Sequence, residues 1–243
     1  MYNNVVVIPA RQASTRLPEK LMLDLGGKSI VHRVYEKCLK AKHIDLVIIA
    51  VDTQTLYDHC SLFCDTVILT SAKHQSGTDR IAEAISTIKC INVINVQGDE
   101  PFIDSKLIDS LASSLNQENY MVSAMHALID QKEIINPNNV KVVTDDNSNA
   151  LYFSRSVIPF YREANQNKQY YYKHLGIYGY TKKFLQTITS LPPSNLEEIE
   201  KLEQLRVLQN GYSIQMIETD HEPIGIDTLE DYNNAKALFD ELI

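Results

Sequence analysis

The chain has 243 residues and a formal net charge of −8, and these two values exclude several classes of protein. A chain of this length buries about 70–75% of the surface exposed in its unfolded state, so it sustains a full core without disulfides or structural metals. The negative charge argues against nucleic acid or an acidic membrane surface as the partner. The sequence has no apolar run of 18 residues or more, so we expect no membrane-spanning segment.

The N-terminal residues and the cysteines predict a cytoplasmic protein with reduced thiols. The first apolar run begins at Val5, without the preceding basic region of a signal peptide. Because nothing indicates secretion, the cysteines need not pair. A zinc site built from Cys60 and Cys64 with His59 and His74 is an alternative, but the sequence lacks the C-x-x-C pairs typical of such sites.

The first half of the chain alternates short apolar runs with amphipathic stretches. This alternation is typical of βαβ units around a parallel sheet. The predicted strands are 5–9, 46–51, 66–69 and 91–96. The predicted helices are 30–41, 55–60, 78–88 and 105–116. Residues 46–51 are apolar at every position, as expected of a strand that helices cover on both faces.

The second half predicts a mixed sheet and a group of helices. The predicted strands are 122–127, 140–144, 150–153, 170–180 and 213–218. The predicted helices are 182–189, 196–210 and 229–242. A polar loop is expected at 162–168. Because the chain has no repeat, low-complexity tract or linker, we expect one continuous α/β domain over 1–243 with a small embedded lobe.

Three cations lie in the glycine-poor loop that follows the first predicted strand. Arg11, Arg16 and Lys20 lie within one stretch of ten residues, although the protein as a whole is acidic. The loop leaves the carboxyl end of a parallel strand, which is where α/β sheets bind ligands. One cation–phosphate contact at about 4 Å contributes about 4 kcal/mol before desolvation is counted. The loop therefore predicts a phosphate site, and a solvated basic loop is the alternative.

Asp99 is a candidate for a magnesium site, and Asp227 is available for a role other than capping. Asp99 follows an apolar strand and Gly98, a residue that permits close approach of another backbone. A carboxylate beside a triphosphate suits Mg²⁺, which prefers hard oxygen ligands. Asp227 precedes the C-terminal helix, where Thr228 is available as the N-cap. The alternative for both aspartates is an ordinary turn or capping role.

The predicted helix 196–210 carries charges among its apolar residues. Apolar side chains, among them Ile199, cover most of its circumference, so the helix should be largely buried. Glu203 and Arg206 lie three residues apart on it. We therefore expect these two side chains to form an internal ion pair or to meet a ligand.

Seven short motifs occur in chain order and together carry a family resemblance. They are P-A-R-Q-A-S-T-R-L-P-E-K at 9–20, H-Q-S-G-T-D-R at 74–80, N-V-Q-G-D-E-P at 95–101, Y-F-S-R-S-V-I-P at 152–159, K-H-L-G-I-Y-G-Y at 173–180, L-E-Q-L-R at 202–206 and G-I-D-T at 225–228. The set closely resembles nucleotide-sugar pyrophosphorylases, in the form found in CMP-Kdo synthetases (3-deoxy-manno-octulosonate cytidylyltransferases). The resemblance extends from residue 5 to about residue 235.

The resemblance implies an α/β, three-layer nucleotidyltransferase fold of the GT-A or Rossmann-like type, with a mixed central sheet. It implies a nucleotide-binding half over about 1–120 and a half for sugar binding and dimerisation over about 121–243. The implied reaction transfers CMP from CTP to 3-deoxy-D-manno-octulosonate (Kdo), with Mg²⁺ as cofactor. The product would carry activated Kdo into lipopolysaccharide biosynthesis, and a cytoplasmic homodimer is expected.

The resemblance also implies roles for individual residues. The catalytic residues are Asp99, Asp227, Lys20 and Arg16, of which the two aspartates hold the metal. The nucleotide-binding residues are Ala10, Arg11, Gln12, Ser14, Arg16, Lys20, Ser76, Gly77, Arg80, Gln97 and Asp99. The sugar-binding residues are Gln97, Arg155, His174, Tyr178, Glu203 and Gln204. A guanidinium matches a carboxylate, so Arg155 is the expected partner of the sugar acid. By its pattern alone, His174 in a strand is more typical of a satisfied core group.

Three other functions stay open from the sequence. One is a related nucleotidyltransferase for sialic-type acids or for an 8-amino analogue of Kdo, although 174–180 and 203–206 favour Kdo. The second is a catalytically silent nucleotide-binding regulator, against which the intact cations and carboxylates argue. The third, a purely structural interaction protein, is disfavoured because the chain has no repeat, coiled-coil heptad or charged tail.

Overall fold

A computed structural model describes residues 1–14, 16–74, 76–163 and 170–241. The chain forms two units, one of Met1–Ser113 with Pro223–Ile243 and one of Ser114–Glu222. The sequence division near residue 120 placed 223–243 in the second half, whereas contacts group this segment with the first unit. Two residues of the quoted motifs, Thr15 and Gln75, and most of the predicted loop 162–168 lie outside the described residues.

The first unit contains a parallel sheet of four strands. They are β1 (Tyr2–Ala10), β2 (Leu46–Val51), β3 (Val67–Leu69) and β4 (Cys90–Asn95), in the order β3-β2-β1-β4. In the register, Val7 lies opposite Ile48 on one side and Asn95 on the other. The predicted parallel sheet is therefore confirmed, and all four strand ranges match within a few residues.

Helices accompany these strands as the alternating pattern predicted. They are α1 (Ile30–Cys38), α2 (Gln54–Cys60), α3 (Gly77–Ala84) and α4 (Ser105–Ser114), with the final helix α9 (Leu229–Glu241) also in this unit. A short 3₁₀ turn spans Lys20–Met22. Thr53 and Ser76 are the N-caps of α2 and α3, and their side-chain hydroxyl oxygens accept hydrogen bonds from backbone N–H groups in the first turn. These N–H groups have no hydrogen-bond partner within the helix.

The second unit contains the mixed part of the sheet. Its strands are β5 (Met121–Leu128), β6 (Lys141–Thr144), β7 (Ala150–Ser154), β8 (Tyr171–Thr181) and β9 (Gln215–Glu218). Strand β5 is antiparallel to β8 and parallel to β9, while β6 is antiparallel to both β7 and β8. The register of β5 and β8 shifts between Ser123 and Ala124, which leaves Gly176 and Ile177 as extra residues on β8. The predicted mixed sheet is confirmed.

The helices of the second unit depart from the prediction at two points. They are α5 (Gln131–Ile135), which the sequence did not indicate, α6 (Lys182–Ser190), α7 (Asn195–Glu200) and α8 (Gln204–Gln209). The single helix predicted over 196–210 is wrong, because Lys201 adopts a left-handed φ of 55° and separates α7 from α8. The break turns Ile199 outward, and its exposed fraction of 76% contradicts the expected burial.

The cysteines are buried free thiols, as expected. Cys38, Cys60, Cys64 and Cys90 are all reduced. Burial raises the pKa of the Cys60 thiol to about 12, so this side chain behaves as an inert apolar group. Within the part of the chain that is described, no group of three or more His, Cys, Asp and Glu side chains forms a metal site, which leaves the zinc alternative without support. Among the described helices, none has both the length and the apolar character needed to cross a membrane.

Candidate active site

Four residues predicted to be catalytic form one ion-pair cluster in the first unit. The Lys20 Nζ lies 2.5 Å from Asp99 Oδ2 and 2.9 Å from Asp227 Oδ1. The Arg16 guanidinium lies 3.0 Å from the other oxygen of Asp227. Residues that are up to 207 positions apart in the chain therefore meet around a single ammonium group.

The turn after β4 brings Asp99 into this cluster. A Cβ atom at Gly98 would lie 3.1 Å from the Pro9 carbonyl oxygen, so this position has little room for a larger residue. The close backbone approach expected for Gly98 is therefore confirmed. The Asp99 carbonyl accepts a hydrogen bond from Ile226 N at 2.9 Å, which ties the segment before α9 to the end of β4.

Thr228 caps α9, which leaves the Asp227 carboxylate for other contacts. Its hydroxyl oxygen accepts a bond from Asp231 N at 3.1 Å. The Asp231 carboxylate in turn accepts bonds from the backbone N–H groups of Asp227 and Thr228 at 3.0 and 2.8 Å. The cap predicted at Thr228 is therefore confirmed, and the bonds to Asp231 make the capping reciprocal, which the sequence did not predict.

The cluster favours the charged forms of Lys20 and Asp227. Burial alone would lower the pKa of Lys20, whose exposed fraction is 8%, but Asp99 and Asp227 outweigh that effect and raise it. Burial alone would raise the pKa of Asp227, but Lys20 and Arg16 outweigh it, so the pKa lies below its ordinary value. The Asp227 carboxylate therefore remains an acceptor at neutral pH.

These two carboxylates fit a magnesium ion that is completed by substrate oxygens. Asp99 and Asp227 approach the same Lys20 Nζ, so their oxygens converge on one small region. Within the described residues, no third acidic, histidine or cysteine side chain joins them in a metal-binding group. Mg²⁺ commonly takes one or two carboxylates and fills its other positions with phosphate oxygens and waters.

Another carboxylate, that of Asp52, connects two of the loops predicted to bind the nucleotide. Its Oδ1 accepts a bond from Gln12 N at 2.9 Å, and its Oδ2 lies 3.7 Å from Arg80 Nη2. The Arg80 Nη1 donates to Thr70 Oγ1 at 2.6 Å. Arg80 is 4% exposed, so its guanidinium is directed into the protein. Sequence reasoning missed Asp52, although, like Asp99, it follows an apolar strand.

The other predicted nucleotide-binding residues lie at the ends of β1 and β4 and at the start of α3. Arg11 is exposed, Ser14 is half-buried, and Ala10 is buried as the last residue of β1. Ser76 caps α3 by accepting a bond from Asp79 N at 3.1 Å, and Gly77 is its first residue. The Gln97 amide donates to Asn95 Oδ1 at 3.2 Å. Carboxyl ends of parallel strands share one edge, which is where open α/β sheets bind ligands.

In the second unit, predicted sugar-binding residues join in a buried hydrogen-bonded chain. The Gln204 amide donates to His174 Nδ1 at 3.4 Å, and His174 Nε2 lies 3.0 Å from Ser123 Oγ. The Ser123 hydroxyl donates to the Ile177 carbonyl at 2.9 Å. Because burial lowers the pKa of His174 to about 3, its ring is neutral and its Nε2 hydrogen points to Ser123. These contacts fit the core-group interpretation of His174.

Two further sugar-binding predictions have different surroundings. Burial, Tyr180 and Glu203 raise the pKa of Tyr178 well above its ordinary value, so the phenol keeps its proton. The Glu203 side chain is exposed, so its expected burial is wrong. Arg206 pairs with Glu197, whose Oε2 lies 2.8 Å from Arg206 Nε. The break at Lys201 explains both outcomes, because it separates 203–206 from the helix on which they were placed.

The sequence and the fold of this chain are similar to those of known proteins. The sequence model of the cytidylyltransferase family matches residues 5–217. The 3-deoxy-manno-octulosonate cytidylyltransferase of Flavobacterium johnsoniae is 44% identical over 98% of this chain and 99% of that protein. The protein of the same name from Francisella tularensis subsp. novicida is 45% identical, with the same coverage of 98% and 99%.

A solved structure of CMP:2-keto-3-deoxy-manno-octonic acid synthetase complexed with CTP superposes with a TM-score of 0.94 and 36% identity. The match covers 99% of this chain and 100% of that chain. The 4-diphosphocytidyl-2C-methyl-D-erythritol synthase of Anaerococcus prevotii, at 16% identity and a TM-score of 0.66, shares the fold alone.

The family match and the fold define a nucleotidyltransferase. The chain belongs to the cytidylyltransferase family, among relatives that are named 3-deoxy-manno-octulosonate cytidylyltransferases. The resemblance to CMP-Kdo synthetases and the α/β nucleotidyltransferase fold with a mixed sheet, both predicted from the sequence, are thereby confirmed.

Proposed function

We propose that this protein transfers CMP from CTP to Kdo and releases pyrophosphate. The observation that carries the proposal is the cluster in which Lys20 lies between Asp99 and Asp227, with Arg16 on the outer oxygen of Asp227. Such a cluster offers two carboxylates to a cation and two cations to a polyphosphate. The names of its relatives, and the CTP in the complex of the similar solved structure, support CTP and Kdo as the substrates.

In this reaction the anomeric hydroxyl of Kdo attacks the α-phosphorus of CTP. An O–P bond forms, the bond to the pyrophosphate oxygen breaks, and the hydroxyl loses its proton. Catalysis of this kind depends on positioning and on charge stabilisation. Arg16 is suited to bind the leaving pyrophosphate, because its side chain is 64% exposed and can exchange Asp227 for a phosphate. Lys20 adds a second positive charge beside it.

Asp99 and Asp227 would hold Mg²⁺, which supplies positive charge to phosphate oxygens and lowers the pKa of a hydroxyl bound beside it. Lys20 has a separate task in this scheme. Its ammonium holds the two carboxylates close together before substrates arrive. We assign no side chain as a general base.

The second unit supplies proposed contacts to the sugar. Arg155 would bind the carboxylate of Kdo, because a guanidinium forms paired hydrogen bonds with a carboxylate. Glu203 and Tyr178 would offer polar groups to the sugar hydroxyls. His174 is buried and bonded at both ring nitrogens, so its contribution would be to orient Gln204.

We further propose that the protein is a cytoplasmic homodimer whose product serves lipopolysaccharide biosynthesis. Its second unit exposes several large apolar side chains, namely Ile129, Leu151, Phe160 and Ile199. Apolar residues of this kind support contact with a second copy of the chain. Sedimentation velocity tests the dimer: a single species with the mass of one chain would contradict it.

The test of the function is pyrophosphate release by purified protein with CTP and Mg²⁺. Kdo, its 8-amino analogue and a sialic acid are offered in separate reactions. We expect release that requires Kdo and stops when EDTA is added. Release with only another sugar would keep the reaction class and overturn the proposed substrate. No release with any sugar, despite CTP binding, would indicate a silent nucleotide-binding regulator.

A further inference from the structure

Arg155 is fixed at four of its atoms. Its backbone N donates to Glu200 Oε2 at 3.0 Å, and its Nε donates to the Glu200 carbonyl at 2.8 Å. Its Nη1 donates to the Pro137 carbonyl at 3.1 Å, and its own carbonyl accepts from Lys141 Nζ at 2.7 Å. A long side chain on a protein surface normally samples many rotamers, so this degree of restraint needs an explanation.

Glu200 supplies two of these restraints from the end of α7. It is the last residue of the helix, where backbone carbonyls lack partners within the helix. Its carbonyl is therefore available to the guanidinium. Its carboxylate also accepts a bond from Ser154 Oγ at 2.6 Å, so one side chain holds two consecutive residues at the end of β7.

Lys141 supplies the third restraint and an unusual charge. Its side chain is fully buried. The three hydrogen bonds described for its Nζ all go to backbone carbonyls, those of Asn136, Asn139 and Arg155, at 3.0, 2.6 and 2.7 Å. Lys141 and Arg155 are positive and Glu200 is negative, so the group carries a net positive charge that favours an anion nearby.

We propose that Glu200 and Lys141 are positioning residues that aim the Arg155 guanidinium at the carboxylate of the acidic sugar. This inference rests on the proposed function, in which Arg155 binds that carboxylate. The restraints use Nε and one donor of Nη1, which leaves the Nη2 donors and the other Nη1 donor for a planar anion. Held in this way, the guanidinium loses little conformational entropy when the sugar binds.

The test compares Glu200→Ala with Glu200→Gln and with a matched control. Glu200→Ala removes the carboxylate bonds to Ser154 Oγ and to the backbone N of Arg155, but keeps the carbonyl that Arg155 Nε contacts. Because the end of β7 is then held less firmly, we expect the KM for Kdo to rise about tenfold while the KM for CTP stays within about twofold. Glu200→Gln keeps the shape and one acceptor, so it should recover most of the loss. The control is Glu198→Gln, an exposed glutamate on the same helix, which should change neither constant. Lys141→Met should raise the KM for Kdo in the same selective manner.

A double-mutant cycle with Arg155→Gln separates positioning from a general structural role. If Glu200 acts through Arg155, adding Glu200→Ala to Arg155→Gln should raise the KM for Kdo by less than about twofold more. Full additivity, or equal loss of affinity for CTP and Kdo, would overturn the proposal. If Glu200→Ala does not fold, Lys141→Met takes its place, and an unchanged KM for Kdo in that variant would overturn the proposal.

Failure of the underlying function would look different. In that case the wild-type protein would not turn over Kdo, which the control reaction reports directly. If the wild-type protein uses Kdo but Arg155→Gln leaves its KM unchanged, the reaction stands, and the role of Arg155 and of its positioning residues falls.

Discussion

The two units hold their predicted functional residues by different physical means. In the first unit, charged side chains hold each other, and the outer pair of Arg16 and Asp227 is 64% and 51% exposed. In the second unit, His174 and Gln204 are buried and linked by neutral hydrogen bonds. Exposed charges can exchange partners when a polyphosphate arrives, whereas a buried neutral chain keeps one geometry. The difference fits the proposed polyphosphate site in the first unit and the proposed sugar site in the second.

The largest effect expected from this comparison is the loss of activity in Asp99→Asn. The change keeps the size of the side chain but removes a charge from the proposed metal site, so kcat should fall by about 100-fold or more. Pyrophosphate release measures kcat, and circular dichroism checks that the fold is intact. Asp58→Asn, which changes an exposed aspartate of the same unit, serves as the control. Near-normal turnover by Asp99→Asn would remove Asp99 from the metal site.

A second prediction uses the neutral His174 of the second unit. The pKa of its folded form is about 3, well below the ordinary value of 6.5. Between these values the unfolded chain binds a proton that the folded chain does not, so acid destabilises the fold. From pH 7 to pH 5 this group alone should lower the free energy of unfolding by about 2 kcal/mol.

Urea unfolding at several pH values measures this effect. His174→Gln should lose less stability between pH 7 and pH 5 than the wild-type protein, whereas His43→Gln, at an exposed histidine, should lose as much as the wild type. If His174→Gln and the wild-type protein have the same pH dependence, the buried neutral histidine is contradicted.

Substitutions of two glycines extend the comparison, and their expected effects are smaller. A Cβ at Gly98 meets the Pro9 carbonyl at 3.1 Å, whereas a Cβ at Gly176, on β8, meets nothing within 4 Å. Gly98→Ala should therefore destabilise the protein by about 1–2 kcal/mol and reduce activity by displacing Asp99. Gly176→Ala should change stability by no more than about 0.5 kcal/mol. Thermal unfolding and turnover measure both variants, and equal effects would show that close packing is not specific to the turn after β4.

Much of the first unit could be predicted from the sequence because its signals are local. Uninterrupted apolar runs indicated the parallel strands, and cations or carboxylates at strand ends indicated a ligand site. The pairing of Asp99 with Asp227 could not be predicted from local signals. No local pattern connects residues so far apart, and only the family resemblance placed them together before the structure joined them through Lys20.

In the second unit, the residues that hold the site gave no signal that a pattern could detect. Ser123 and Lys141 lie in strands, where a polar residue is ordinarily assigned to a solvent-facing side, yet both are fully buried. The left-handed residue between α7 and α8 is Lys201 rather than glycine, so the chain looked like one helix. Its consequences for Glu200 and Glu203 follow from three-dimensional contacts alone.

The central claim, that the first unit binds the nucleotide and the second binds the sugar, is tested most directly by CTP affinity in two matched variants. Isothermal titration with CTP and Mg²⁺ would compare the wild-type protein with Arg16→Gln and Arg155→Gln. We expect Arg16→Gln to weaken CTP binding by about tenfold and Arg155→Gln to leave it within about twofold. Equal weakening by the two variants, or unchanged CTP affinity in Arg16→Gln, would contradict the division of the two substrates between the units.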